Sequence, residues 1–557
     1  MNRLAYWGHD YLVTSVGAGI DAHVNAIESY QSGLKEESDA NGESYWAGRI
    51  DWSAIPQIPG ATPLENLMIE VGGKVLRAAK VEANSPRLGL ILSTTKGNID
   101  LLQSQADFDE RVLPGVLAQR VAASLGITTT PQVVCNACIS GLLTIILGSR
   151  LIASGTYDRV LVIGADLMSP FVISGFRAFK SVSSHICKPF DASRDGLSMG
   201  EACGAVLLTA DPFECDAIPV AVKGGAVSND ANHISGPSRT GDGLYLAIRE
   251  ALDEAQVPAD EVDFVGLHGT ATVYNDEMES KAIALAGLSD KPVNSLKPYF
   301  GHTLGACGVI ESILSVWQLR HKRLWATMEF ESLGTPQPLL VSAWHHNLSK
   351  SSVCVKAASG FGGCNAAVVF ATDCTQGSEL QWTSGKVRVE SSVRLQCPEN
   401  EDFDQWIREQ YKSLGESNMK FFKMDRLCKL GYVAVAKLLA GRSLPEDRYR
   451  VAVVLSNRCS SLDTDMRHQA LLDAGQPASP AVFVYTLANI VSGEICIRHQ
   501  IKGEGWFLIE SADENVSKEL ASRLLQEHRA DFVLTGRCEM FGKKAFTCID
   551  LLSLQAN

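Results

Sequence analysis

Four side chains stand in settings suited to nucleophilic and proton-donating chemistry, and Cys138 is the most telling of them. It lies in "VVCNACISGLLTIILGSRLIASG" (133–155), where an apolar strand pattern runs into a helix pattern. A cysteine at such a joint meets the unpaired N–H groups and positive dipole end of the helix, which favour the thiolate over the thiol. The small neighbours Ala137, Ser140 and Gly141 permit a tight turn and close approach of a substrate carbonyl to the backbone. Free cysteine is also a common core residue, so for Cys138 alone both readings stand, nucleophile and packed small side chain.

The other three follow in "LHGTAT", which places His268 just beyond a strand, and in "NSLKPYFGHTLGACGVIESI", which places Lys297 and His302 on a glycine-containing loop before an apolar helix. An imidazole past a strand end can point out of the sheet, where it can donate or accept a proton. Each has a plain alternative: a loop histidine serves as a surface hydrogen-bonding group, and a lone lysine as a solvated charge. "ASGFGGCNAAVVF" (358–370) is a glycine-rich turn before a strand.

The elements that must position these residues are legible. "RLGLILSTT" (87–95), "RVLVIGADL" (159–167), "GAVLLTA" (204–210), "VDFVGLHGT" (262–270) and "AAVVFAT" (366–372) read as buried strands. "PLENLMIEVGGKVLRAAKV" and "GLYLAIREALDEAQV" carry apolar positions at helical spacing. The class is α/β with mostly parallel, covered sheets. A chain of 557 residues exceeds one core, and "TDCTQGSELQWTSGK", from residue 372, reads as a connection to a second block. The net charge of -13 argues against general binding to nucleic acid or anionic membranes. The start "MNRLAYWGHDYLVTS" lacks the apolar core of a signal peptide, and no apolar run approaches the ~18 residues of a membrane span, so a cytoplasmic location is expected. Apart from Cys135 and Cys138 in "CNAC", the fifteen cysteines show no CxxC pair and no regular spacing, so no metal site and no disulfide framework are expected.

Taken together and in order, "NACISG", "KPFDASRDGLSMGEACGAVLL", "HGTATVYND", "KPYFGHTLGACG" and "GFGGCNAA" resemble the beta-ketoacyl-acyl-carrier-protein synthases, elongating condensing enzymes of the thiolase superfamily, over residues 1 to 375. The resemblance implies an αβαβα thiolase-like fold of two similar halves. It implies Cys138 as acyl acceptor, His268 and His302 as the pair serving decarboxylation and carbanion stabilisation, and Lys297 as their electrostatic support. Thr270, Thr272 and Glu311 are carried over as supporting residues. The backbone N–H groups of Cys138 and Phe361 would hold the tetrahedral oxyanion, with Ser359, Gly360 and Gly362 completing the oxyanion and gating loop. The implied reaction is decarboxylative Claisen condensation, extending a carrier-bound acyl chain with malonyl units in fatty acid or type II polyketide synthesis, aryl-polyene-like systems included. Degradative thiolases, initiating synthases, decarboxylase-only variants and chain-length factors fit the Cys-His-His set less well. The readings to be separated from it are an idle scaffold, a chain-length-determining subunit and an acyl-carrier binding module.

No tightly bound cofactor is implied; phosphopantetheine arrives on an acidic acyl carrier protein, for which Arg177, Lys180 and Lys188 offer a local basic patch. A homodimer, or a heterodimer with another synthase subunit, is expected. The family commonly carries a gating phenylalanine where this chain has Ser359, a change that either leaves more room beside the nucleophile or is filled by another residue. The C-terminal block repeats earlier sequence: 87–102 is echoed by 449–465, and 154–168 by 527–540. Setting "VVCNACISG" against "FLIESADEN" puts Ala512 or Asp513 at the nucleophile position. The expected organisation is a complete synthase at 1–375, a linker at 376–418, and a degenerate N-terminal-half unit without nucleophile at 419–557, docked on the complete one.

Overall fold

The computed structural model describes residues 3–38, 42–102, 108–372, 385–511 and 515–555. Residues 3–372 form two sheets, the β layers of one five-layer domain. The first sheet is built from β1 (Ala5–Thr14), β2 (Leu88–Ser93), β3 (Gln132–Val134), β4 (Arg159–Asp166) and β5 (Ala202–Thr209), in the order β3-β2-β4-β5-β1. The second contains β6 (Ala221–Asn229), β7 (Phe264–Gly266), β8 (Pro292–Asn294), β9 (Leu340–Val341), β10 (Val353–Gly360) and β11 (Cys364–Ala371), ordered β6-β11-β10-β7-β8-β9. Both sheets are mixed rather than mostly parallel: β5 runs antiparallel to β4 and β1, and β11 antiparallel to β10 and β6. Strands covered on both faces read as continuous apolar runs whichever way they point, so hydrophobicity carries no direction signal there.

Helices fill the layers. α1 (Pro63–Ala79) and α2 (Pro114–Leu125) lie on the outer side of the first sheet, α3 (Ser140–Ala153) separates the two sheets, and α4 (Pro170–Ala178) follows β4. α5 (Asp242–Ala255) and α6 (Val273–Leu285) cover the second sheet, while α7 (Cys307–His321) joins α3 in the central layer. This is the expected αβαβα arrangement. α3 and α7 cross backbone to backbone: a Cβ on Gly141 would lie 2.8 Å from Val309 N, and one on Gly308 2.2 Å from Leu142 N. That approach, open only to glycine, brings the loop before α7 against the turn before α3.

The C-terminal block forms one more sheet from β12 (Val387–Gln396), β13 (Val451–Asn457), β14 (Gly505–Ile509), β15 (Phe532–Phe541) and β16 (Lys544–Leu554). Its order, β12-β16-β15-β13-β14, and its strand senses repeat those of β1-β5-β4-β2-β3. α8 (Phe403–Lys412) precedes α9 (Arg426–Leu438) and α10 (Ile490–His499), which pack on one face of this sheet, and α11 (Val516–Gln526) packs on the other. The segment 376–418 is therefore not a linker throughout, since β12 and α8 lie inside it and β12 pairs with β16. Alternating exposure along β12 hides it from a search for apolar runs. The boundary at 375, and Ala512 and Asp513, lie outside the described residues. α11 turns Lys518 and Glu519 to solvent, giving its outer face a polar surface.

The two units share one sheet. β14 pairs antiparallel with β3, Leu508 opposite Val134 and Ile509 opposite Val133, giving ten continuous strands from β12 to β1. Beside this seam Arg150 donates to both carboxylate oxygens of Glu504 at 2.8 Å, with both side chains buried. Burial alone pushes the Glu504 carboxyl up, but Arg150 and Arg529 hold it below the usual carboxylate range. Removing one partner of a buried pair strands the other charge. Glu504→Ala is expected to lower stability by about 3–5 kcal/mol in urea unfolding; a loss comparable to that of an exposed ion pair would show that the seam does not depend on it.

Candidate active site

The turn carrying Cys138 is fixed from both units. Ala137 takes the left-handed backbone region at φ 48°, and the chain then enters a short 3-10 turn, Ala137–Ile139, leading into α3. Asn136 locks this geometry: its N–H donates to Ser140 Oγ (2.7 Å), its Nδ2 donates to Gly505 O (3.0 Å), and its Oδ1 accepts from Phe507 N (2.6 Å). The last two partners belong to β14, so the second unit grips the residue two before the nucleophile. A strained non-glycine conformation persists where surroundings over-determine it.

His268 follows β7, its N–H and that of Gly269 each donating to Glu279 at 2.7 Å. His302 is held by its N–H to Ser198 O (2.7 Å), and its carbonyl accepts from Gly200 N (3.0 Å). The two rings meet edge to face with centroids 5.0 Å apart. The reactive atoms of Cys138, His268 and His302 lie within 4.8 Å of one another. Lys297, fully buried, places Nζ 3.3 Å from His268 Nδ1 and 2.6 Å from Glu311 Oε1; Lys356 Nζ lies 2.8 Å from the other Glu311 oxygen. Glu311 thus clamps two buried ammonium groups, and burial of all three is offset by their mutual charge.

Those contacts set the tautomers. An ammonium can only donate, so His268 Nδ1 accepts and its proton sits on Nε2. Leu304 N donates to His302 Nδ1 at 3.1 Å, with the same result. Burial, reinforced by Lys297, holds both imidazoles well below the usual histidine range, so both are neutral Nε2–H donors. The Cys-His-His spacing would also suit a metal ion. The Lys297 ammonium bonded to one of its members opposes a cation there and favours charge that is negative or becoming negative.

The expected thiolate is not the resting form of Cys138. Its burial pushes the thiol up to about 12, reinforced by Cys364, and Lys297 draws it only partly back. Desolvation of the charged form outweighs the favourable N-terminal end of α3.

The three residues open into a cavity of about 370 Å³. Thr270, Thr272, Ser359, Gly360 and Phe361 line it as well. Thr270 and Thr272 share a hydroxyl hydrogen bond at 2.8 Å, and Ser359 Oγ donates to Asn365 Oδ1 at 2.7 Å. A Cβ on Gly360 would sit 3.1 Å from Cys138 N, so the glycine lets the loop lie against the nucleophile. Phe176 and Phe179 also line the cavity, Phe176 stacked on Phe361 and Phe179 tilted against it, adding aromatic bulk near the small Ser359. The basic patch fares differently. Arg177 is engaged by Glu43 and lies over the Tyr45 ring, which removes it as a free docking cation; Lys180 is exposed and Lys188 half-buried. Lys356, Asn136 and Asn365 were not among the expected residues. A lysine inside the apolar strand "VCVKAASG" was the available signal for Lys356, since an unpaired buried lysine is untenable.

The layered fold and the Cys-His-His site define a thiolase-like condensing acyltransferase. The models for the beta-ketoacyl synthase N-terminal and C-terminal domains match residues 47–212 and 220–331. The chain is 32% identical to a polyketide beta-ketoacyl synthase of Streptomyces halstedii over 322 residues, covering 51% of this chain and 75% of that one. It is 29% identical to 3-oxoacyl-[acyl-carrier-protein] synthase 2 of Vibrio cholerae, covering 52% and 77%. Among solved structures, a ketosynthase in complex with its chain length factor from Xenorhabdus doucetiae matches with TM-score 0.60 and 27% identity, over 66% of this chain and 98% of that one. The PfaC keto synthase-chain length factor matches all of this chain and 78% of that one with TM-score 0.79 at 15% identity, a likeness of fold that includes the second unit. The chain belongs to the beta-ketoacyl synthase family.

Two titrations check the site. Alkylation of Cys138 in the resting protein is expected to rise about tenfold per pH unit from about pH 7 to 10, with no plateau near neutrality; a plateau would mean a stabilised thiolate. The ring signals of His268 and His302 are expected to stay at their neutral positions from about pH 8 to 6. Because their folded values are depressed, their stabilising contribution is full above the ordinary histidine range and declines as the pH falls below it.

Proposed function

We propose that Cys138 accepts the acyl chain and that His268 and His302 drive its extension. One observation carries this reading: the thiol and a ring nitrogen of each of two neutral imidazoles lie within 4.8 Å of one another, and both Nδ1 atoms are already occupied as acceptors, which leaves Nε2–H as the donor of each ring. In the first step Cys138 Sγ attacks the primer thioester, the carbon–sulfur bond to the carrier's phosphopantetheine breaks, and the thiol proton ends on the leaving sulfur. Because the proton leaves with the departing thiol, the step needs no thiolate that persists at rest. In the second, malonyl thioester loses carbon dioxide and the electron pair moves onto the thioester oxygen, where the two Nε2–H groups hold the enolate. Lys297, fixed by Glu311, keeps His268 neutral and aimed. The enolate carbon then attacks the acyl-Cys138 carbonyl, the tetrahedral oxyanion is held by Cys138 N–H and Phe361 N–H, and Cys138 leaves as a thiolate that is reprotonated. The product is a 3-oxoacyl chain, two carbons longer, on the carrier that brought the malonyl group.

The substrates are thioesters on an acidic carrier protein, and the residues use no tightly bound cofactor. Lys180 and Lys188 remain as cations for the carrier near the cavity. The sheet edge at β3 is taken within the chain by β14, so any further synthase subunit docks elsewhere. No single helix among the described residues is long and apolar enough to cross a membrane, which accords with a cytoplasmic enzyme. The cavity's aromatic wall and the paired units favour chain extension in a fatty acid or polyketide-type pathway over an idle scaffold, which has no use for a neutral histidine pair beside a thiol.

Cys138→Ala should abolish condensation while malonyl decarboxylation persists, since the enolate donors are untouched. His268→Ala and His302→Ala should each lower decarboxylation on the order of 10²-fold or more, read as carbon dioxide release from malonyl carrier. Undiminished extension by the cysteine variant, or normal decarboxylation by both histidine variants, contradicts these roles.

A further inference from the structure

The loop that the second oxyanion requires is held by the other unit. Phe361, Gly362 and Gly363 form the turn between β10 and β11. From the first unit, Asn229 Nδ2 donates to Gly362 O (3.0 Å) and Ile234 O accepts from Gly362 N (2.7 Å). Gly363 O accepts from Asp230 N (2.7 Å), and Phe361 O accepts from Asn489 Nδ2 at 2.8 Å and from Cys364 Sγ at 3.3 Å. Asn489 stands at the N-terminal end of α10 in the second unit, without a side-chain capping hydrogen bond, and is 2% exposed. A carbonyl can only accept, so the amide is oriented with its nitrogen toward Phe361; its Oδ1 has no hydrogen-bond partner among the described residues.

The contact is built for this loop. A Cβ on Gly362 would lie 2.6 Å from Asn489 Nδ2, and one on Gly493, a turn further along α10, 2.9 Å from Gly362 O. Above it, the Phe361 ring stacks on Phe176, and Phe176 meets Phe483 of the second unit edge-on at 5.5 Å. The pseudo-symmetric repeat makes the arrangement one-sided. Val134 and Leu508 pair with each other across the seam, and the residue as far before Val134 as Asn489 is before Leu508 is Gly115, which has no side chain to offer.

Resting on the reading above, in which Phe361 N–H serves acyl transfer to and from Cys138, we propose that Asn489 is a positioning residue for that step. It fixes the Phe361 carbonyl, and through the planar peptides of the turn the direction of the neighbouring N–H. His268 and His302 are held entirely by the first unit, so their half-reaction does not pass through Asn489.

The test separates the half-reactions in the full-length chain. Acylation of Cys138 by a carrier-bound acyl primer is timed by intact mass in wild type, Asn489→Ala and Asn489→Asp. Decarboxylation is read as carbon dioxide release in the Cys138→Ala background, with and without the Asn489 changes. Both variants should acylate roughly tenfold to a hundredfold more slowly, as loss of a positioned oxyanion donor predicts, while decarboxylation changes less than about threefold. Asn489→Asp keeps the shape but offers only acceptors when ionised, so its rate relative to wild type should recover as the pH falls and the carboxyl regains a proton to donate. Unchanged acylation in both variants, equal loss of both half-reactions, or no pH-dependent recovery in Asn489→Asp would overturn the proposal. Absence of acylation in wild type would instead overturn the assignment of Cys138.

Discussion

The antiparallel pairing of β3 with β14 is the constraint on which the rest depends. β3 is three residues long and leads directly into the turn that carries Cys138. Alone it would be an edge strand, with unpaired backbone groups next to the nucleophile. Paired, it becomes the middle of a ten-stranded sheet, and Asn136 can bracket the backbone of β14 at Gly505 and Phe507. The left-handed Ala137, the orientation of Cys138 and the seating of Phe361 all depend on contacts with the second unit.

Electrostatics then divides the labour inside the cavity. Desolvation opposes every charge there, so the thiol stays protonated and the histidines stay neutral. The ionic groups are withdrawn one layer behind, where Lys297 and Lys356 share Glu311. The result is a cavity that presents hydrogen-bond donors rather than fixed charge, suited to an oxyanion that exists only during reaction.

Much of this was legible in the sequence. Apolar runs located the strands, and Cys138, His268, Lys297 and His302 do converge as their order implied. Three things were not legible, for physical reasons. Strand direction was lost because doubly covered strands carry no alternation. β12 escaped because its alternating exposure and polar residues read as a connection. The thiol's protonation was misjudged because a local helix-end argument does not count the side chains that bury the sulfur. Asn489 and Asn136 lay beyond reach altogether, since their partners in the other unit lie 128 and 369–371 residues away and only the fold brings them together.

The most direct measurement is peptide mapping by mass spectrometry of the full-length chain after incubation with a carrier-bound acyl primer. The account predicts a single acyl group per chain, on the peptide containing Cys138 and on no other cysteine. Acylation at another residue, or formation of extended product with Cys138 unmodified at every time point, would contradict it.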